Sequence, residues 1–94
     1  METNWGFNSR GFNSRVVDGR EATHGDFLMN ADIAQRLKTA LTTGPSWDGM
    51  SPVQRESAHH ICTKLSRIVS GNPDCLDHWD DIAGYAELVS RTLR

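Results

Sequence analysis

A cluster of carboxylates in the last quarter of the chain is the clearest chemical feature of the sequence. The segment DHWDDIAGYAEL runs from Asp77 to Leu88 and begins with three aspartates in five residues. Residues four apart share one face of a helix, so a helix here would place Asp77 beside Asp81. Together with Glu56 from a neighbouring helix, they would offer the oxygen ligands that Mg²⁺ prefers. A magnesium site is therefore one hypothesis.

The same aspartates also suit the exposed start of a helix. Acidic residues near a helix N-terminus interact favourably with the helix dipole. A row of carboxylates can also imitate nucleic-acid phosphates and attract a protein that binds DNA or RNA. On this interpretation the cluster is an acidic face that contacts a partner, and its members are Asp74, Asp77, Asp80 and Asp81.

Helical spacing begins just after Gly25, where Asp26 or Asn30 could cap a first helix. Gly44 and Pro45 are expected to end it. The apolar residues that follow the helical period, and that we expect to face the core, are Phe27, Ile33, Ala34, Leu37, Ala40 and Leu41.

A second helix has the clearest start signal in the chain. Ser51 suits the N-cap, Pro52 the first helical position, and Gln54 completes a capping box. Gly71 suits the left-handed residue that closes a helix. The predicted apolar stripe between these ends is Ala58, Ile61, Cys62, Leu65, Ile68 and Val69.

A third helix is predicted over residues 75–91, and Gly84 lies in its middle, where it would let another backbone approach. Its predicted buried face is Leu76, Trp79, Ile82, Ala83, Ala86, Val89 and Leu93. Three helices with short connections indicate an all-α fold, a small antiparallel three-helix bundle over residues 26–94.

Residues 1–25 differ from the bundle in composition. They contain the tandem repeat GFNSR-GFNSR and show no apolar period, which predicts a flexible N-terminal arm. Aromatic residues and arginine are enriched at protein interfaces. The arm residues expected to contact a partner are Trp5, Phe7, Arg10, Phe12 and Arg15.

The bulk composition is that of one small globular domain. Of the 94 residues, 37% are hydrophobic, and the formal charge of -2 gives no basic footprint for direct nucleic-acid binding. The sequence has neither a membrane-spanning apolar run nor a secretory h-region. Two cysteines are too few for a disulfide framework. We therefore expect a cytoplasmic protein without membrane contact.

Two further clusters have ordinary structural explanations. His59, Cys62, Cys75 and His78 could in principle bind zinc, but the turn between the two helices separates them, so we expect a buried Cys62 thiol and surface histidines. Lys64 and Arg67 lie on the polar side of the second helix. We expect them to pair with aspartates of the third helix across the turn.

Lys64 to Leu88, preceded by THGDF at residues 23–27, resembles a family of small uncharacterised phage and prophage proteins. Its pattern joins His-Gly, Lys-x-x-Arg-Ile and Asp-x-x-x-Asp-Ile-Ala-Gly-Tyr. That pattern is in turn distantly similar to the all-α nucleotide pyrophosphohydrolases of the MazG type. The resemblance implies that His24, Lys64 and Arg67 contact a nucleotide, and that Asp77 and Asp81 belong to an acidic pair that holds Mg²⁺.

The chain departs from those enzymes at their first acidic pair, Glu-x-x-Glu. Here Glu56 has no glutamate three residues later, and two-metal hydrolysis needs more carboxylates than one helix supplies. No catalytic residue and no cofactor are therefore predicted. The leading hypothesis is a phage- or prophage-encoded protein that occupies a host protein or protein–nucleic-acid complex, for example as an inhibitor of host defence of the anti-CRISPR type.

Two alternatives stay open. One is an Mg²⁺-dependent, pyrophosphohydrolase-like nucleotide-binding protein that uses Glu56, Asp77 and Asp81. The other is a structural homo-oligomer. Because small residues let two helices approach closely, the seam at Ala83 and Gly84 makes self-association plausible in every case.

Overall fold

A computed structural model describes residues 21–94, and the candidate arm residues lie outside this range. The predicted all-α fold is confirmed. Residues 21–24 are helical and lead into the elements of the bundle. These elements are α1 (Phe27–Leu41), a 3-10 turn (Trp47–Gly49), α2 (Pro52–Ser70) and α3 (Leu76–Leu93). Within residues 21–94, no helix is long and apolar enough to cross a membrane.

The middle helix organises the bundle. α2 packs against both α1 and α3. The backbone before α1 touches the last residue of α2, Ser70, and a hydrogen bond joins Thr23 to His78 near the start of α3. The starts of α1 and α3 therefore meet at the C-terminal end of α2, and both helices run antiparallel to it.

The start of α2 confirms the predicted capping box. The backbone N–H of Gln54 donates to Ser51 Oγ at 3.1 Å, and the backbone N–H of Ser51 donates to Gln54 Oε1 at 2.8 Å. At the other end the prediction for Gly71 is wrong, because this residue has φ −122° and ψ −119° rather than a left-handed conformation. Glycine is nevertheless needed at this position, because a Cβ there would overlap the backbone of residues 23–25.

The core is small and unusually polar. Its buried apolar residues are Ala34, Cys62 and Ile68, and its buried polar residues are Asn30, Ser57, Ser66 and His78. The small serine and cysteine side chains of α2 let both neighbouring helices approach closely. Burial raises the pKa of the Cys62 thiol, although nearby Lys38 partly opposes this effect. The prediction that Cys62 is a core residue is confirmed.

Several predicted core positions are exposed instead. Phe27 is 62% exposed and Val69 68% exposed. On α3 the predicted buried face is largely wrong, since Leu76 is 67% exposed, Trp79 47% and Leu93 69%. The side of α3 that faces α2 carries residues at helical intervals of three and four, namely His78, Ile82, Tyr85 and Val89. The helix is therefore rotated relative to the prediction.

Candidate functional site

The start of α1 is tied to α3 by a group of polar residues, Thr23, His24, Asn72 and His78, which we call the polar junction. The backbone carbonyl oxygen of Thr23 accepts hydrogen bonds from His78 Nε2 at 3.0 Å and from the backbone N–H of Asn72 at 3.2 Å. The His24 ring meets the His78 ring edge-on, with 4.7 Å between centroids. His24, a predicted nucleotide contact, thus packs against a histidine that is 2% exposed.

His78 is the main residue that the sequence interpretation misplaced. It was expected at the surface with the other histidines, and it is among the most buried residues of the bundle. Burying an imidazole is tolerated when its polar atoms find partners, and here the Thr23 carbonyl supplies one. The spacing of His78 with Ile82, Tyr85 and Val89 was the signal that could have identified it.

Two backbone segments cross beside the polar junction. Gly25 has φ +83°, and a Cβ at this position would overlap the carbonyl group of Ser70.

Asn30, expected as a possible cap, is instead buried within α1, where its Nδ2 donates to the His24 carbonyl. Asp26 occupies the N-cap position. Within residues 21–94, Asn30 Oδ1 and Ser70 Oγ are buried without hydrogen-bond partners.

Lys64 and Asp81 form an ion pair between α2 and α3. Their Nζ and Oδ2 atoms are 2.9 Å apart, and the Lys64 side chain is only 15% exposed. The hydrogen bond from Lys64, and then its charge, hold the pKa of Asp81 below the ordinary range of an aspartate. The expectation that Lys64 pairs with an aspartate across the turn is thus confirmed. Asp81 is therefore already partnered within the acidic face.

This ion pair predicts a pH dependence of stability. Folding lowers the pKa of Asp81, so the ion pair stabilises the folded protein fully above the pKa of the unfolded aspartate, about 4. This stabilisation is lost as the pH falls through the pKa of Asp81 in the folded protein. We expect Asp81→Asn to be less stable than wild type at neutral pH, with the difference shrinking at lower pH. Urea unfolding of both proteins from neutral to acidic pH measures this.

The control is the same comparison in a Lys64→Gln background. Removing the lysine should abolish most of the stability change that Asp81→Asn causes at every pH, as in a double-mutant cycle. A difference that persists without Lys64 would show that another group lowers the Asp81 pKa.

The proposed magnesium ligands are not brought together. Glu56 Oε2 lies 3.1 Å from His60 Nε2, one turn along α2, and the His60 ring stacks on Tyr85 at 4.5 Å. Across the described range 21–94, no group of three or more His, Cys, Asp or Glu side chains could hold a metal ion. Glu56, Asp77 and Asp81 therefore do not form a ligand set in this arrangement.

The start of α3 carries an exposed surface that combines charge and apolar area. Trp79 Nε1 donates to the Pro73 carbonyl at 2.8 Å, which fixes the indole across the helix start while 47% of the residue stays exposed. Leu76 is exposed next to it, as are Asp77 and Asp80. We call these four residues, Leu76, Asp77, Trp79 and Asp80, the acidic–apolar patch. Asp74 is also exposed, whereas Asp81 is paired with Lys64.

Comparison with protein-family models, curated proteins and solved structures finds no match to this chain. The roles of individual residues therefore rest on the geometry described above. That geometry places the polar junction and the Lys64–Asp81 pair between helices, where they hold the bundle together. It leaves the acidic–apolar patch on the surface, where it can contact another molecule.

Proposed function

We propose that this protein acts by binding a host protein through the acidic–apolar patch on α3. The partner would present an apolar pocket within a basic surface, and basic surfaces are typical of proteins that bind nucleic acid. In the phage or prophage setting that the sequence resemblance implies, such binding would inhibit a host defence protein. No catalytic step is required of any residue.

The observation that carries this proposal is the position of Trp79. Tryptophan residues that are held in one orientation and surrounded by polar groups are typical of binding hot spots, because little side-chain entropy is lost on association. The bond to Pro73 fixes the indole, and Asp77 and Asp80 stand exposed beside it. Their charges would steer a basic partner and align it on the patch.

The test compares capture of host proteins by immobilised wild-type protein and two variants. Trp79→Ala removes the aromatic anchor, and Asp77→Lys/Asp80→Lys reverses the charge of the patch. Ala40→Glu, at an exposed alanine of α1, is the matched surface control. A captured host protein is then identified and purified, and its affinity for each of the four proteins is measured. The supporting result is that it binds wild type and the control equally, whereas both patch variants bind it about tenfold or more weakly. Equal binding by all four proteins would overturn the proposal.

Nucleotide binding is the second candidate, since Lys64 and Asp81, both named by the resemblance, do meet. The arrangement also weighs against it, because the Lys64 ammonium already faces a carboxylate at 2.9 Å. We expect nucleoside triphosphates with Mg²⁺ or Mn²⁺ to leave the melting temperature unchanged and to release no pyrophosphate. A metal-dependent shift that Lys64→Gln abolishes would instead favour this candidate.

A further inference from the structure

Two histidine rings contact each other inside the polar junction. The rings of His24 and His78 meet edge-on, with 4.7 Å between their centroids. Thr23 holds both of them, since its hydroxyl bonds to His24 Nδ1 and its carbonyl oxygen accepts from His78 Nε2. Two imidazolium rings at this distance would repel each other. Little water could screen that repulsion, because His78 is 2% exposed.

The charged groups of α2 and α3 around the rings are already paired with one another. Asp81, one turn further along α3, interacts with the charge of His78. Lys64 on α2, however, lies 2.9 Å from Asp81 Oδ2, and Arg67 on α2 acts on the same carboxylate. One carboxylate therefore faces two cations before either histidine takes up a proton.

The other carboxylates of this region give the rings little compensation. His78 lies in the first turn of α3, where the helix dipole disfavours a positive charge. Asp26 lies at the N-cap of α1, where the positive end of that helix attracts its charge. The remaining carboxylates are exposed to solvent, which screens them. They are Glu21, Asp74, Asp77 and Asp80.

We propose that the contact between His24 and His78 is a pH-sensitive switch that holds the segment before α1 against the start of α3. The contact is stable while at least one of the two rings is neutral. When both rings are protonated, repulsion separates them. The Thr23 carbonyl then loses its hydrogen bonds to His78 and to the backbone N–H of Asn72.

The direction of the pH dependence follows from the number of protons that each state binds. The open segment binds a proton on each ring, whereas the closed junction binds at most one. An imidazole in water takes up its proton near about pH 6.5, so the closed state is fully stable above this value. Below it, the ratio of closed to open molecules falls about tenfold for each unit of pH. The opening is local, because the Lys64–Asp81 pair still joins α2 to α3.

The first test follows hydrogen exchange of backbone amides in the full chain by NMR, from about pH 8 to about pH 5. After correction for the intrinsic exchange rate, the N–H of Asn72 should lose protection about tenfold per unit of pH below about pH 6. Amides in the middle of α2 should keep their protection. His24→Gln removes one ring and keeps a polar side chain, so Asn72 should stay protected in this variant.

His60→Gln is the matched control for this test. It replaces a histidine on the α2 surface, where the side chain is 42% exposed, and Asn72 should then behave as in wild type. An Asn72 amide that is unprotected at neutral pH, or whose protection does not change with pH in wild type, would overturn the proposal. Equal losses of protection in wild type and His24→Gln would overturn it as well.

The second test records proton uptake by the two rings, also by NMR. Coupled histidines take up their protons in two steps, because the first proton hinders the second. Both His24→Gln and His24→Phe should therefore move proton uptake by His78 to higher pH by about one unit or more. The phenylalanine variant keeps an aromatic ring beside His78, so its shift reports the lost charge rather than a change in exposure. Proton uptake by His78 at the same pH in wild type and both variants would contradict a switch based on repulsion.

Discussion

Replacing Gly25 by alanine is expected to lower the free energy of unfolding by about 3–4 kcal/mol. Two effects combine at this position. An L-residue at φ +83° is strained, and a Cβ would overlap the Ser70 carbonyl, which is backbone and cannot rotate away. The start of α1 would have to move from the end of α2, weakening the polar junction as well. Urea unfolding, followed by circular dichroism, measures the change.

Gly84→Ala is the matched control for this prediction. It makes the same substitution in the same chain, but at an exposed position inside α3 where no atom lies within 4 Å of the new Cβ. Alanine is favoured over glycine in a helix interior, so this variant should be more stable by about 0.5–1 kcal/mol. If both variants lost equal stability, the crossing at Gly25 and Ser70 would not be the cause.

The sequence predicts the features of this fold that depend on residues close together in the chain. The capping box joins Ser51 and Gln54, three residues apart, and the apolar spacing of each helix is likewise local. These signals identify three helices and their approximate ends. They also place Lys64 and Asp81 on the polar sides of adjacent helices, within reach of each other across the turn.

The rotation of α3 could not be predicted in the same way. The helix carries two apolar stripes with helical spacing, and local sequence does not say which one faces α2. A preference for large apolar side chains selects the stripe with Leu76 and Trp79. The structure turns the other one toward α2, with His78 buried and Ile82, Tyr85 and Val89 partly exposed. His78 can be buried because a carbonyl group 55 residues earlier accepts a hydrogen bond from its imidazole.

The same long-range contact explains why glycine is required at Gly25 and Gly71. At both positions another backbone segment passes so close that a Cβ would overlap it. The residues around each glycine in the sequence do not predict this close approach. The candidate surface follows from this packing, since burying the His78 side of α3 turns Trp79 and the two aspartates beside it outward.

His78→Ala should therefore destabilise the bundle by about 2–4 kcal/mol. The substitution leaves a cavity where a nearly fully buried ring stood and removes one of the two hydrogen bonds to the Thr23 carbonyl. Globular domains have a total stability of about 5–15 kcal/mol, so the loss would be a large part of it. The measurement is the free energy of unfolding in urea.

Two companion variants separate the hydrogen bond from the packing. His78→Gln keeps an amide donor that can reach the Thr23 carbonyl, and it should lose about half as much stability as alanine. His60→Ala removes a histidine from the α2 surface, where its side chain is 42% exposed, and should cost under about 1 kcal/mol. Equal losses at His60 and His78 would contradict the central position of the polar junction, because they would show that depth of burial has no influence here.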